Sequence, residues 1–199
     1  NFPSVLVLVS PADYSAVLNM LRDQHMVPLS ERRRLARKAF QHTSVYDAAI
    51  ANYMARDLGS AGLVDDFWEL PEETAVTLRR IQQLRYGENP HQRASVYANP
   101  LATGGIVRSD QLHGTDLSFT NFLDADAAWL AVNDFSEPAV TVVKHTNPCG
   151  LAIHNDQPTA YRRAFDGDSV SAYGGIVGFN RTVTKATAEA MRGVLYHIV

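Results

Sequence analysis

Two regimes of apolar spacing share the first sixty positions. Val5-Leu6-Val7-Leu8-Val9 is an unbroken apolar, β-branched run, the pattern of a buried strand. Ser10-Pro11-Ala12-Asp13 follows with a helix-start signature: Ser as N-cap, Pro at the first helical position and Asp three residues after the cap. Tyr14, Val17, Leu18 and Leu21 then recur on one helical face. Pro28 interrupts, Ser30 can cap a second helix carrying Leu35, Ala39 and Phe40, and the pattern continues through Tyr46, Ile50, Tyr53 and Met54 to a stop at Gly59. It reads as one long helix or two. Residues 59–73, rich in Gly and acid, read as a linker and place a boundary there.

From Ala75 onward, short apolar runs alternate with helical segments, which predicts a layered α/β domain. Val76–Leu84 and Ser95–Ala98 read as strands. Residues 119–135 form the clearest helix, with Leu123, Ala127, Leu130 and Ala131 inward and Asp124 and Asp126 in its first turn as dipole partners. Two positions apart on a helix, those aspartates face different directions and do not make a catalytic acid pair. Ala139–Val143 is an apolar strand ending at Lys144, Tyr161–Phe165 a short helix, Gly175–Phe179 a strand and Lys185–Leu195 a helix. No internal repeat or low-complexity tract occurs.

The chain has 199 residues, 46% of them hydrophobic and 20% charged, a globular composition. No run of 18 apolar residues predicts a membrane span, the N-terminus carries no secretory pattern, and the expected compartment is the cytosol. The single cysteine, Cys149, excludes an internal disulfide and a cysteine-rich structural zinc site. A net charge of -3 provides no global field for a polyanion. The one dense basic run, Arg32, Arg33, Arg34, Arg37 and Lys38, lacks an aromatic stacking platform and reads as a solvated or subunit-contact face rather than a nucleic-acid site.

The candidate chemistry gathers in three segments. In Lys144-His145-Thr146-Asn147-Pro148-Cys149-Gly150 a buried strand ends in a cation, an imidazole, an amide and a thiol, where an open α/β sheet builds its ligand crevice. His145 can move a proton near neutral pH. Lys144 beside it can stabilise developing negative charge and, by like-charge repulsion, keep the imidazole neutral. The bland alternative is a solvated strand-end turn. Cys149 lies four residues from His145 in what reads as a Pro-Gly turn, and a packing role outweighs a thiol-imidazole pair. In Leu84-Arg85-Tyr86-Gly87-Glu88-Asn89-Pro90-His91-Gln92, an Arg that can clamp phosphate and a Tyr that can stack on a heterocycle suit a nucleotide; a surface turn with Gly87 at positive φ is the equal alternative. In Ser171-Ala172-Tyr173-Gly174-Gly175, paired glycines allow close backbone approach to a ligand or to a neighbouring strand. His42, His91, His113 and His154 are scattered singly and read as solvated or hydrogen-bonded.

Together with Gln111-Leu112-His113-Gly114 and Leu117-Ser118-Phe119-Thr120-Asn121, these strings resemble, in order and spacing, the bifunctional purine-biosynthesis family: aminoimidazole carboxamide ribonucleotide (AICAR) transformylase and inosine monophosphate (IMP) cyclohydrolase. The resemblance covers essentially the whole chain. It implies formyl transfer from 10-formyltetrahydrofolate, the co-substrate, to the exocyclic amine of AICAR. His145 would act as base and Lys144 as stabiliser of the oxyanion. Arg85, Tyr86, Asn121, Asn147, Gly174 and His197 would line the nucleotide site. The family fold implied is a pair of cytidine-deaminase-like α/β subdomains without catalytic zinc, in a homodimer whose sites form across the interface.

One residue departs from the family pattern: His197 stands where the family carries an acid. The resemblance also divides the chain. Residues 1–10 match the last strand of the cyclohydrolase domain, 11–73 a helical connector, and 74–199 the first transformylase subdomain, incomplete at its C-terminus. On this expectation the isolated chain is a fragment, and a nucleotide-binding or subunit-interaction module without turnover is the alternative. A zinc deaminase is a weaker third reading: Pro148-Cys149 lacks the second thiolate that class requires.

Overall fold

The computed structural model of the protein describes residues 1–60, 73–100 and 102–199. The chain divides into two compact units, Asn1–Leu78 and Arg79–Val199. The predicted linker over 59–73 falls largely outside the described residues.

In the first unit a 3-10 turn over Pro11–Asp13 leads into helix α1 (Tyr14–Gln24), and α2 (Leu29–Ser60) runs on as one continuous helix. Pro11 occupies the first helical position as expected, but Ser10 makes no side-chain cap. The helix start is secured by Asp13 instead, which pairs with Lys38 at 2.5 Å and Arg34 at 3.2 Å from α2. Arg34 also meets Glu31 at 2.6 Å, and Arg32 donates to the Val27 and Pro3 carbonyls. Three cations of the basic run are therefore tied into this unit.

The Val5–Val9 run forms no strand. Leu6 and Leu8 pack on Val17, Val27 and Leu35 while Val5 and Val7 are exposed, so the alternation of a strand is present without a backbone ladder to join. Both helices carry the predicted period, but burial along their apolar faces is uneven. Tyr14, Leu18 and Leu21 on α1, and Phe40, Tyr46, Ile50, Tyr53 and Met54 on α2, are exposed; Val17, Leu35 and Ala48 are the buried apolar residues of these faces.

The second unit is mixed α/β. Strands β1 (Arg79–Gln83) and β2 (Ser95–Ala98) form an antiparallel pair. Strands β3 (Ala139–Lys144), β4 (Asn147–Ile153), β5 (Gly175–Phe179) and β6 (Tyr196–Ile198) form a sheet of order β4-β3-β5-β6, in which only β5 and β6 run parallel. Helix α3 (Phe119–Asn133) lays Ala125 and Ala128 on Val143 and Ile176. Helix α4 (Gln157–Asp166) lays Ala160, Tyr161 and Ala164 against Val140, Val142 and Val177 on the other face, joined by Met191 just beyond α5 (Lys185–Ala190). β3 is thus covered on both faces, which is why it reads as a near-continuous apolar run, broken at Thr141, even though its neighbours are antiparallel. Each valine buried there contributes about 1.5–3 kcal/mol.

Several expectations are corrected by this packing. The inward face of α3 is Ala125, Ala128 and Val132, whereas Leu123 and Leu130 are exposed, because small alanines let the helix approach the sheet closely. The helix begins at Phe119, so Asp124 and Asp126 lie beyond its first turn. Pro148, Cys149 and Gly150 belong to β4 and not to a turn. The last helix ends at Ala190 rather than Leu195. Gly87 is not among the glycines with positive φ.

Candidate active site

The β3–β4 register pairs Lys144 with Asn147, which leaves His145 and Thr146 as a two-residue turn. Both take positive φ, 54° and 62°, the backbone signature of a type I′ hairpin usually built from Asn or Gly. Four hydrogen bonds surround this turn. Thr146 N–H donates to Asp124 Oδ1 at 2.8 Å, the Thr146 hydroxyl and Asn147 Nδ2 each donate to the His145 carbonyl at 2.7 Å, and Lys144 Nζ donates to the Tyr173 carbonyl at 2.9 Å. The last bond joins the Lys144–Gly150 segment to the Ser171–Gly175 segment. Lys144 still has two further ammonium protons to offer. His145 is exposed, and no described residue hydrogen-bonds its ring.

Beside the turn opens a cleft of about 390 Å³ lined by Lys144, His145, Asn147, Pro148, Cys149, Asp168 and Ser171. Asp168 accepts from the Ser171 N–H at 3.0 Å and hydroxyl at 2.6 Å. These bonds, with a smaller contribution from Lys144, hold its carboxyl below the usual range. Burial, reinforced by the Asp168 charge, pushes the Cys149 thiol up, so at neutral pH it stays protonated and poorly nucleophilic. The packing role read for Cys149 matches its place against the α4-side core.

The Arg85-Tyr86 segment is anchored elsewhere on the same scaffold. Arg85 N–H donates to the Leu117 carbonyl at 3.1 Å, and Phe119 N–H donates to the Tyr86 carbonyl at 3.2 Å, which fixes the pair beside the start of α3. The Arg85 guanidinium lies 4.9 Å from the Tyr86 ring centre and donates to its hydroxyl at 3.2 Å, so the two side chains present one combined cationic and aromatic surface. Asn121 forms a capping box with Ser118: its Oδ1 accepts from Ser118 N–H at 3.0 Å, and its own N–H donates to Ser118 Oγ at 3.3 Å. The side-chain oxygen of Asn121 is thereby committed to the helix.

Gly174, at φ 74°, donates its N–H to the Leu195 carbonyl at 2.8 Å, and a Cβ there would stand 3.8 Å from the His197 ring. The structure thus brings Lys144, His145 and Asn147 together in the cleft and sets Gly174 beside His197. Arg85, Tyr86, Asn121, Gly174 and His197 do not line that cleft. Two carboxylates at the turn and the cleft carry little local sequence signal for these roles. Asp124, by sequence a helix-dipole partner, meets the turn across 22 positions, and Asp168 is recognisable only by its spacing to Ser171, which fits a side-chain-to-backbone turn. Among the described residues no group of three His, Cys, Asp or Glu side chains is placed to hold a metal ion, and no helix is long and apolar enough to cross a membrane.

These features define a mixed α/β protein that presents a Lys-His pair on a strained hairpin at a polar cleft, with an Arg-Tyr pair tied to the same helix. The chain belongs to the AICARFT/IMPCHase bienzyme family, whose model matches residues 1–199. It is 45% identical over 200 residues to the bifunctional purine biosynthesis protein PurH of Bacillus subtilis (strain 168) and to that of Bacillus mycoides (strain KBAB4), and 44% identical to that of Bacillus cereus (strain AH820). In each case the match covers all of this chain and 38% of the relative's length.

Proposed function

We propose that the protein bearing this chain transfers a formyl group from 10-formyltetrahydrofolate to AICAR in purine synthesis, and that it also carries the IMP cyclohydrolase activity named for its family. The observation that supports the reading most is the hairpin placing Lys144 and His145 side by side at the cleft, within a family match that spans the chain. In the transfer, the exocyclic amine of AICAR attacks the formyl carbon. A C–N bond forms, and the carbonyl electrons move to oxygen. His145 takes the proton released by the amine. Lys144, steadied by the Tyr173 carbonyl, offers an N–H to the oxyanion or a proton to the departing folate nitrogen as the bond from that nitrogen to the formyl carbon breaks. Arg85 would bind the nucleotide phosphate and Tyr86 its heterocycle. Asn147, the Gly174 backbone and His197 would contact the nucleotide, and Asn121 would act through its amide protons, because its oxygen caps α3.

In this reading residues 1–10 belong to the end of the cyclohydrolase domain, 11–73 to a connector and 74–199 to a cytidine-deaminase-like transformylase subdomain. The protein works as a cytoplasmic homodimer without catalytic zinc, nucleic acid or membrane as partner. Nothing in the site favours a binding module without turnover. The test is formyl transfer by the full-length protein, followed by folate absorbance with AICAR as acceptor. Turnover that saturates with AICAR is the expected result. Saturable AICAR binding by calorimetry without turnover would replace the reading with a binding module.

A further inference from the structure

We propose that Asp124 is a positioning residue for this transfer: its carboxylate holds the His145–Thr146 turn in the left-handed backbone that presents the imidazole to the cleft. The catalytic part of this inference rests on His145 being the base; the structural part stands on its own observations. In a two-residue hairpin turn the N–H of the second central residue has no partner across the ladder. Asp124 Oδ1 accepts that N–H, from Thr146, at 2.8 Å. Asp124 is half-buried on α3, whose next residue, Ala125, packs with Ala128 against Val143, so the carboxylate is fixed to the very strand that ends in the turn.

The turn requires such support. A β-branched threonine at φ 62° beside a histidine at φ 54° occupies backbone that L-residues rarely adopt. The Thr146 hydroxyl and the Asn147 amide both close on the His145 carbonyl, which tightens the turn internally without tying it to the rest of the fold. Asp124 ties it to the helix. Asp126, two positions on, is exposed and faces elsewhere.

The experiment uses the full-length protein and three variants: Asp124→Ala, Asp124→Asn and Asp124→Ala with Thr146→Gly. Formyl transfer is measured alongside hydrogen exchange, by mass spectrometry, of a peptide covering residues 140–150. Asp124→Ala is expected to lower kcat by about 10- to 100-fold, with KM for the nucleotide within about threefold of wild type. Asp124→Asn keeps an acceptor oxygen and is expected to stay within about threefold in kcat. Adding Thr146→Gly to Asp124→Ala is expected to recover most of the loss, because glycine adopts the left-handed turn unaided. Exchange in the peptide is expected to quicken in Asp124→Ala and not in Asp124→Asn. Wild-type kcat and exchange in Asp124→Ala, or a loss that glycine does not recover, would overturn the inference. Wild-type turnover by a His145→Ala protein would instead remove the assigned base and the rate effect with it, while the exchange data would still decide whether Asp124 holds the turn.

Discussion

Replacing Gly150 with alanine should be among the most damaging single-methyl changes in the second unit. Gly150 sits mid-strand in β4, opposite Val142, with its carbonyl accepting the Thr141 hydroxyl at 3.0 Å. A Cβ built on it would lie 2.1 Å from the Ala164 carbonyl oxygen and 3.0 Å from the Ala164 carbonyl carbon of α4. Ordinary contact begins at 3.4 Å, so α4 or β4 must move by more than about 1 Å, and the obstacle is backbone that no rotamer change can relieve. Overpacking by one methyl costs about 1–3 kcal/mol, and a backbone obstacle belongs at the upper end, about 3 kcal/mol. For a unit spanning Arg79–Val199 that corresponds to a fall in Tm of roughly 12 °C. The assay is thermal unfolding of the full-length protein, followed by circular dichroism and calorimetry, with Gly104→Ala as control because its Cβ meets nothing within 4 Å. A Gly150→Ala shift no larger than that of the control would refute the close packing of α4 on β4.

The Asp13 carboxyl is held below the usual carboxylate range, chiefly by the Lys38 hydrogen bond with Arg34 adding to it, so its stabilisation is complete above the unfolded-state value and is lost as pH falls through the folded-state pKa. Asp13→Asn should therefore lower Tm at pH 7, and its Tm should converge on wild type as pH falls through the lowered folded-state pKa of Asp13; a Tm difference that stays constant as pH falls would contradict this. The Cys149 thiol, pushed up by burial and by Asp168, should react with iodoacetamide more slowly than free cysteine at pH 7 and faster as pH rises. Cys149→Ala should keep formyl transfer within about threefold of wild type, and loss of turnover would return the thiol to the mechanism.

Much of the architecture was legible because local physics decided it. Ser95–Ala98 and Gly175–Phe179 emerge as strands at the predicted bounds, and α3 begins at the predicted Phe119. What remained hidden depended on partners far along the chain. Periodicity finds an apolar stripe but not what covers it: of the predicted inward set Ala127 packs toward the sheet while Leu123 and Leu130 are exposed, and Ala125 and Ala128 are the buried contacts. β4 is not legible locally because Pro148 and Gly150 are turn residues by local preference, whereas pairing with β3 and the close approach of α4 override that preference. The chemistry of Lys144 and His145 could be named from residue types alone. The support of their turn could not, since a Thr146 amide meeting Asp124 is a contact across 22 positions that no spacing rule reports.

The central claim is that Lys144 and His145 on the β3–β4 turn carry the proton transfer and charge stabilisation of a formyl transfer. Its most direct test is the single-turnover rate of formyl transfer to AICAR by full-length wild-type, His145→Ala and Lys144→Ala proteins, each first shown by calorimetry to bind AICAR. The account predicts that both variants bind the nucleotide and that His145→Ala slows transfer by roughly 100-fold or more, with Lys144→Ala slowed to a similar degree. Transfer by His145→Ala at the wild-type rate, with AICAR bound, would contradict it.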